Sequence, residues 1–101
     1  MSFKLSIVAP SGKIFEDTVD SIAVNGTDGA FEVYSKHMPF ISTLKSGRAR
    51  VRHAGIETVY DITSGVLEVD LDHNVTLLAD QAIAVWKSLM KELFMMVNGF
   101  G

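Results

Sequence analysis

Asp70-x-Asp72-x-Asn74 sets three oxygen-bearing side chains at alternate positions, the spacing with which a calcium loop opens. Such a loop needs glycine at its sixth position for the sharp turn and a bidentate glutamate at its twelfth. Val75 and Gln81 stand there instead, so the pattern stops halfway and no metal is assigned. His37, His53 and His73 offer no pair at i, i+4 spacing for an imidazole-bound metal. Serines, histidines and aspartates for a triad exist, but no nucleophile elbow gives any serine a local context. Gly26-x-x-Gly29 is followed by no Gly-Lys-Ser/Thr and opens no helix, so it is not a phosphate cradle. Glu16, Asp17 and Asp20 read as a solvated acidic loop. The absence of cysteine removes disulfides and every thiolate site. The reading is therefore of a non-enzyme, with no catalytic residue, metal or cofactor.

The charge balance limits the partners. With 9 basic and 12 acidic residues the net charge is −3, which disfavours nucleic acid, whose affinity rests on phosphate neutralisation. No basic-then-apolar leader is present and no apolar run approaches the ~20 residues of a membrane span. The expectation is a soluble intracellular domain, in which the sequons at Asn25 and Asn74 are coincidental. At 101 residues the chain is one domain with room for a small appendage. Roughly 65% of the unfolded surface is buried at this size, enough for a core without staples.

The elements that would position these residues are strands. Phe3, Leu5 and Ile7 alternate with Lys4 and Ser6; Ile22, Val24, Phe31, Val33, Phe40, Ile41, Val51, Ile62, Val66, Val69 and Val75–Leu78 follow in short runs. Gly, Asn, Asp or Pro separates these runs about every 8–12 residues, the signature of a sandwich or barrel. Val24 to Tyr34 reads as two short strands joined by a glycine-punctuated turn. Asn25-Gly26 is its strongest hairpin signal, because both residues tolerate positive φ. A polar corner at His37-Met38-Pro39 leads into a buried strand that includes Phe40 and Ile41. His37 is expected to be an interface or hydrogen-bonded structural histidine, and His53 and His73 turn residues.

One hairpin can be set in register. With Ala54-Gly55 as a two-residue loop, His53 faces Ile56, Arg52 faces Glu57 and Arg48 faces Asp61. Opposite charges across a ladder contribute about 0.2–1 kcal/mol each. Arg48, Arg50 and Arg52, the chain's three arginines, then share one face. That face is read as solvated; a partner's contact surface is the alternative.

From residue 81 the pattern changes. Ala82, Ile83, Val85, Trp86, Leu89, Met90, Leu93, Phe94 and Val97 fit a 3.6-residue period, with Lys87, Ser88, Lys91 and Glu92 opposite. The spacing predicts one amphipathic helix over 81–97, roughly 25 Å long, capped by Asp80 and ended by Asn98-Gly99. Its apolar stripe would pack on the β domain, a second copy or a partner subunit. The expected division is a β-sandwich at 1–80 and a helix with its tail at 81–101.

Several pieces, in order, carry a resemblance: Pro10-Ser11-Gly12-Lys13-Ile14-Phe15, the Gly26-x-x-Gly29 turn, His37-x-Pro39, Leu44-x-x-Gly47, Ser64-Gly65-Val66-Leu67-Glu68-Val69, and Asn74 to Asp80 with Ala82. Over about residues 3–84 the chain resembles the N-terminal domain of the epsilon subunit of F-type ATP synthases, the delta subunit in mitochondria. It departs from the usual pattern at Glu32, Ser35-Lys36 and Ser64, and in a C-terminal region shorter than the usual helical hairpin. The resemblance implies a mainly β fold, a flattened ten-stranded sandwich followed here by one short C-terminal helix. It implies a non-catalytic rotor subunit of the central stalk that couples ion flow to ATP synthesis. The complex would hold it peripherally on the cytoplasmic face of a bacterial inner membrane, or its organelle equivalent, with the alpha/beta hexamer reached indirectly. By family position Asn25, Gly26, Thr27, Asp28, Gly29 and Ala30 would meet the c-ring. Ala9, Pro10, His37, Met38, Pro39 and Ser42 would face gamma. The competing reading is a small ligand- or peptide-binding β module, with Tyr34, Tyr60 and Trp86 as its candidate aromatic platform.

Overall fold

The computed structural model describes residues 1–87, with side chains described through residue 85. Ten strands run in chain order: β1 (Phe3–Ala9), β2 (Gly12–Val19), β3 (Ser21–Gly26), β4 (Gly29–Tyr34), β5 (Phe40–Leu44), β6 (Gly47–His53), β7 (Ile56–Ile62), β8 (Gly65–Val69), β9 (Val75–Ala79) and β10 (Ala82–Lys87). They are hydrogen-bonded in the order β10-β7-β6-β3-β5-β8-β9-β1-β2, with β4 paired to β3. The ladder folds over on itself into a sandwich, and β3 is its corner. The first half of β3 pairs with β6 (Ser21↔Arg52), whereas its last residue, Gly26, pairs with Leu44 of β5. All pairings are antiparallel except β1 with β9.

Alternation decides what is buried. In β1, Phe3, Leu5, Ile7 and Ala9 point into the core while Lys4 stays in water. Leu5, Ile7, Ile22, Leu67 and Leu77 are fully enclosed between the layers. Each such side chain contributes about 1.5–3 kcal/mol by leaving water. Phe15, Phe31 and Phe40 pack against this cluster from its margin.

The β6–β7 hairpin has the expected register: Arg48↔Asp61, Arg52↔Glu57 and His53↔Ile56, with Ala54 and Gly55 both at positive φ (52° and 80°). That is the turn handedness that matches strand twist. Ion pairs follow at 3.3 Å for Arg48–Asp61, 3.4 Å for Arg50–Glu57 and 3.3 Å for Arg52–Glu57.

Several expectations are corrected. Residues 82–87 of the expected helix form strand β10, which pairs with β7 through a bulge between Ala84 and Trp86. A short apolar run satisfies both periods, and the unpaired edge of β7 supplies hydrogen-bond partners that favour a strand. Asp80 is accordingly no helix cap: its N–H donates to the Ser64 carbonyl (3.2 Å) and its carboxylate accepts from the Ser64 hydroxyl (3.4 Å). Residues 88–97 of that expected helix lie outside the described residues. Glu16 and Asp17 belong to β2 rather than a loop, and Glu16 takes ion pairs from Lys13 (2.8 Å) and Lys4 (3.2 Å). Asp20 lies in the bend after β2 with its side chain partly solvated, and it also accepts the Ala54 N–H at 2.9 Å, fastening the β6–β7 turn. Ile41 is not buried but 68% exposed, because of two adjacent strand residues only Phe40 can face inward.

Candidate functional site

The hairpin of β3 and β4 closes on Thr27 and Asp28, between the paired glycines Gly26 and Gly29. Asn25 and Gly26, though both tolerate positive φ, do not adopt it; that conformation falls on Gly29, at φ 137°. Docking explains the shift. Lys45 N–H donates to the Asn25 carbonyl (3.0 Å), Thr27 N–H donates to the Thr43 carbonyl (3.1 Å), and the Thr27 and Thr43 hydroxyls share a 2.9 Å hydrogen bond. These bonds extend the strand through Asn25 and Gly26 and push the turn two residues on. Gly26 is also tightly enclosed: a Cβ there would lie 2.9 Å from the Gly29 carbonyl oxygen and 2.9 Å from Phe31 Cε1. The outcome is a braced tip, with Thr27, Asp28, Gly29 and Ala30 exposed at its end and Asn25 and Gly26 as its root.

The second expected group assembles in part. Lys36, at φ 62°, turns the chain into the His37-Met38-Pro39 corner. His37 Nδ1 donates to the Met38 carbonyl (2.8 Å), and its ring lies 4.7 Å from that of Phe40. His73 Nδ1 donates to the His37 carbonyl (2.9 Å), tying the corner to the β8–β9 loop. Met38 and Pro39 are exposed, while Ser42 is half-buried in β5. Phe40 also meets Phe31 edge to face at 5.7 Å, which links this corner to the β3–β4 hairpin. Ala9 and Pro10 are not part of this corner. They close the β1–β2 turn and line a shallow groove with Ile14, Ala82 and Ile83.

The acidic segment that imitates a calcium loop is used up by its own backbone. Asp70 Oδ1 accepts the N–H groups of Asp72 (2.9 Å) and Asn74 (3.0 Å), and His73, at φ 66°, makes the turn. Of the aromatic platform, Tyr60 is 6% exposed and stacks edge-on against Phe15 at 5.9 Å, so it is core. Tyr34 is exposed and donates its hydroxyl to Glu32 (2.8 Å). The side chain of Trp86 lies outside the described ones.

The family model for the ATP synthase Delta/Epsilon chain, beta-sandwich domain, matches residues 2–85. The chain belongs to the ATP synthase delta/epsilon family. The ATP synthase epsilon chain of Caulobacter vibrioides is 35% identical over 78 residues, which cover 77% of this chain and 90% of that relative. The fold is shared with chains in two solved assemblies. One is the Euglena gracilis mitochondrial ATP synthase, OSCP/F1/c-ring (TM-score 0.77, 20% identity, 82% of this chain and 53% of that one). The other is the Tetrahymena thermophila mitochondrial ATP synthase central stalk and c-ring (TM-score 0.71, 12% identity, 82% of this chain and 66% of that one). The match thus spans little more than half of the Euglena chain and about two thirds of the Tetrahymena one. The family's sandwich domain ends at residue 85 here, inside β10, which accords with a strand at 82–87.

Sequence reasoning missed two residues beside the corner, Ile41 (68% exposed) and Leu71 (85% exposed). Leu71 had a signal: it is the lone large apolar residue in the otherwise polar turn Asp70-Leu71-Asp72-His73-Asn74.

Proposed function

We propose that the chain is a non-catalytic rotor subunit of the F1Fo ATP synthase central stalk, coupling ion-driven rotation of the c-ring to ATP synthesis through gamma and the c-ring. The observation that carries this reading is the family match over residues 2–85. The geometry suits the task. A coupler must transmit torque without deforming, and a closed sandwich whose protruding hairpin is hydrogen-bonded to a second strand resists bending better than a free loop. In this reading Asn25 to Ala30 form the c-ring contact, with Thr27, Asp28, Gly29 and Ala30 touching and Asn25 and Gly26 supporting. Ala9, Pro10, His37, Met38, Pro39 and Ser42 form the gamma contact. The subunit performs no chemistry, transports ions only as part of the complex, and is peripheral on the cytoplasmic face of a bacterial inner membrane or the equivalent organelle membrane.

The test is copurification. A tagged chain expressed in its own cells is recovered from solubilised membranes, and the expected yield is one copy per gamma together with alpha, beta and c subunits. Recovery of the chain free of gamma in cells where the synthase is assembled overturns the proposal.

A further inference from the structure

Asn25-Gly26 is a chemically reactive pair in any chain that is free to bend. The backbone nitrogen of the glycine can attack the asparagine Cγ, because glycine has no Cβ to obstruct the approach and bends easily. In this fold the two reacting groups are held apart. Thr27 N–H donates to the Thr43 carbonyl and Lys45 N–H to the Asn25 carbonyl, which keeps the strand extended along β5. Successive amides of a strand point to opposite sides, so the Gly26 N–H points toward β4, where Gly26 pairs with Gly29. The Asn25 side chain goes the other way. Its Nδ2 lies against Gly47, so closely that a Cβ on Gly47 would run into it. Gly47 opens β6, which flanks β3 on the side away from β4. Water reaches the amide all the same: Asn25 is half-buried and lines an open groove with Ala23, Glu32, Arg48 and Arg50.

We infer that Asn25 is a latent deamidation site, latched by the docking of the hairpin root on β5 and Gly47, and that its reaction releases the tip irreversibly. Water is the only co-reactant. When the root opens, Gly26 N gives its proton to solvent and bonds to Asn25 Cγ. The Cγ–Nδ2 bond breaks, and Nδ2 takes up a proton and leaves as ammonia. Water then adds to either carbonyl of the succinimide ring and opens it to aspartate or isoaspartate. In the isoaspartate the chain runs through Cβ and Cγ to Gly26, and the former Asn25 carbonyl becomes part of a free carboxylate. The added methylene lies between the acceptor for Lys45 N–H and the donor Thr27 N–H, so those two bonds lose their register. Either product also puts a negative charge at the root of a tip that already carries Asp28. The native rate is the intrinsic reactivity multiplied by the fraction of time the root is open. The latch therefore sets the rate.

The test incubates the full chain at mildly alkaline pH and follows residue 25 by peptide mapping, which reads the mass gained as NH2 becomes OH and the isoaspartate fraction. In concentrated urea Asn25 is expected to react as fast as Asn98, which is also followed by glycine. Three hydrogen bonds brace the root, two from backbone amides and one between hydroxyls. At about fivefold each, they are expected to slow Asn25 about a hundredfold in native buffer relative to urea. Thr43→Val removes the hydroxyl bond and should raise the native rate about fivefold. Thr27→Val should do the same, and the double variant no more, because both changes break one bond. Thermal melts check that each variant folds. Amide hydrogen exchange at Thr27 and Lys45 is expected to accelerate in the isoaspartate product but not in Asn25→Asp, whose backbone is ordinary. Asn25 that reacts as fast in native buffer as in urea, or stays intact in urea, overturns the inference. So do folded threonine variants with the wild-type rate, and isoaspartate chains whose Thr27 and Lys45 amides stay as protected as before.

Discussion

Two of this molecule's two-residue hairpins, β6–β7 and β3–β4, solve the turn in opposite ways. The β6–β7 hairpin is complete in itself. Both of its loop residues, Ala54 and Gly55, take positive φ, its flanks carry cross-strand ion pairs, and Asp20 fastens its turn from the bend between β2 and β3. The β3–β4 hairpin keeps Thr27 and Asp28 out of the left-handed region, places that conformation on Gly29 just beyond the loop, and braces its root on β5 through backbone and hydroxyl bonds. Its tip is left bare: Asp28 has no side-chain partner among the described residues, whereas Glu57 and Asp61 are paired with arginines. A self-satisfied hairpin finishes a sheet. A braced hairpin with an unsatisfied tip is built to press on something else.

The comparison can be broken most severely at Gly26. Gly26→Val forces a branched side chain against the Gly29 carbonyl and the Phe31 ring, and overpacking of this kind costs about 1–3 kcal/mol. Denaturant melts should show that loss, together with loss of the tip's docking on β5. Gly29→Val is gentler and more telling. A Cβ at Gly29 meets nothing within 4 Å, so its cost is the backbone strain of an L residue held at φ 137°, about 1–3 kcal/mol. That is small against the ~5–15 kcal/mol of a typical domain. The isolated chain should therefore stay folded, while membranes carrying the variant hydrolyse ATP with ion pumping reduced severalfold. Undiminished pumping in assembled Gly29→Val complexes would count against a c-ring contact here. The matching change on the other hairpin, Ala54→Gly, relieves the same kind of strain and should raise stability by about 0.5–1 kcal/mol with pumping unchanged.

A pH titration sharpens the contrast from outside both hairpins. Hydrogen bonds from Lys13 and then Lys4 hold the Glu16 carboxyl down from its ordinary 4.5 to about 2. Because the folded-state value is the lower one, the stabilisation is complete above about pH 4.5 and is lost as pH falls toward 2. Lys4 and Glu16 are solvent-exposed, so the effect is small and weakened by salt. Glu16→Gln should flatten that acid limb of the stability curve and leave the behaviour of either hairpin at neutral pH unchanged.

The same pair of hairpins shows what was legible in the sequence. The β6–β7 register could be read residue by residue because its information is local: opposite charges spaced around a two-residue gap. The β3–β4 hairpin was legible as a hairpin with a glycine turn, but the placement of its loop at Thr27-Asp28 was not, because Asn25-Gly26 is held extended by Thr43 and Lys45, a tertiary contact with no local trace. The strand at Ala82–Lys87 was hidden for a related reason. Its apolar residues fit a helical stripe equally well, and only the open edge of β7 decides between them. The exposed apolar pair Ile41 and Leu71 was the least legible feature, since the two are thirty positions apart in chain order and come to one surface only because β5 pairs with β8. Of the candidate site, the tip and the corner at His37–Pro39 could be named from spacing and resemblance, while Ala9 and Pro10 sit in a separate groove.

The most direct test of the account places a photo-crosslinking residue at position 28 or at position 54 of the chain in otherwise native, membrane-assembled complexes. Illumination from position 28 should give an adduct with the c subunit, and position 54, on the self-satisfied hairpin, should give none. Adducts to c from position 54 but not from position 28, or adducts from neither in complexes that contain the chain, would contradict the assignment of the braced hairpin as the foot that stands on the c-ring.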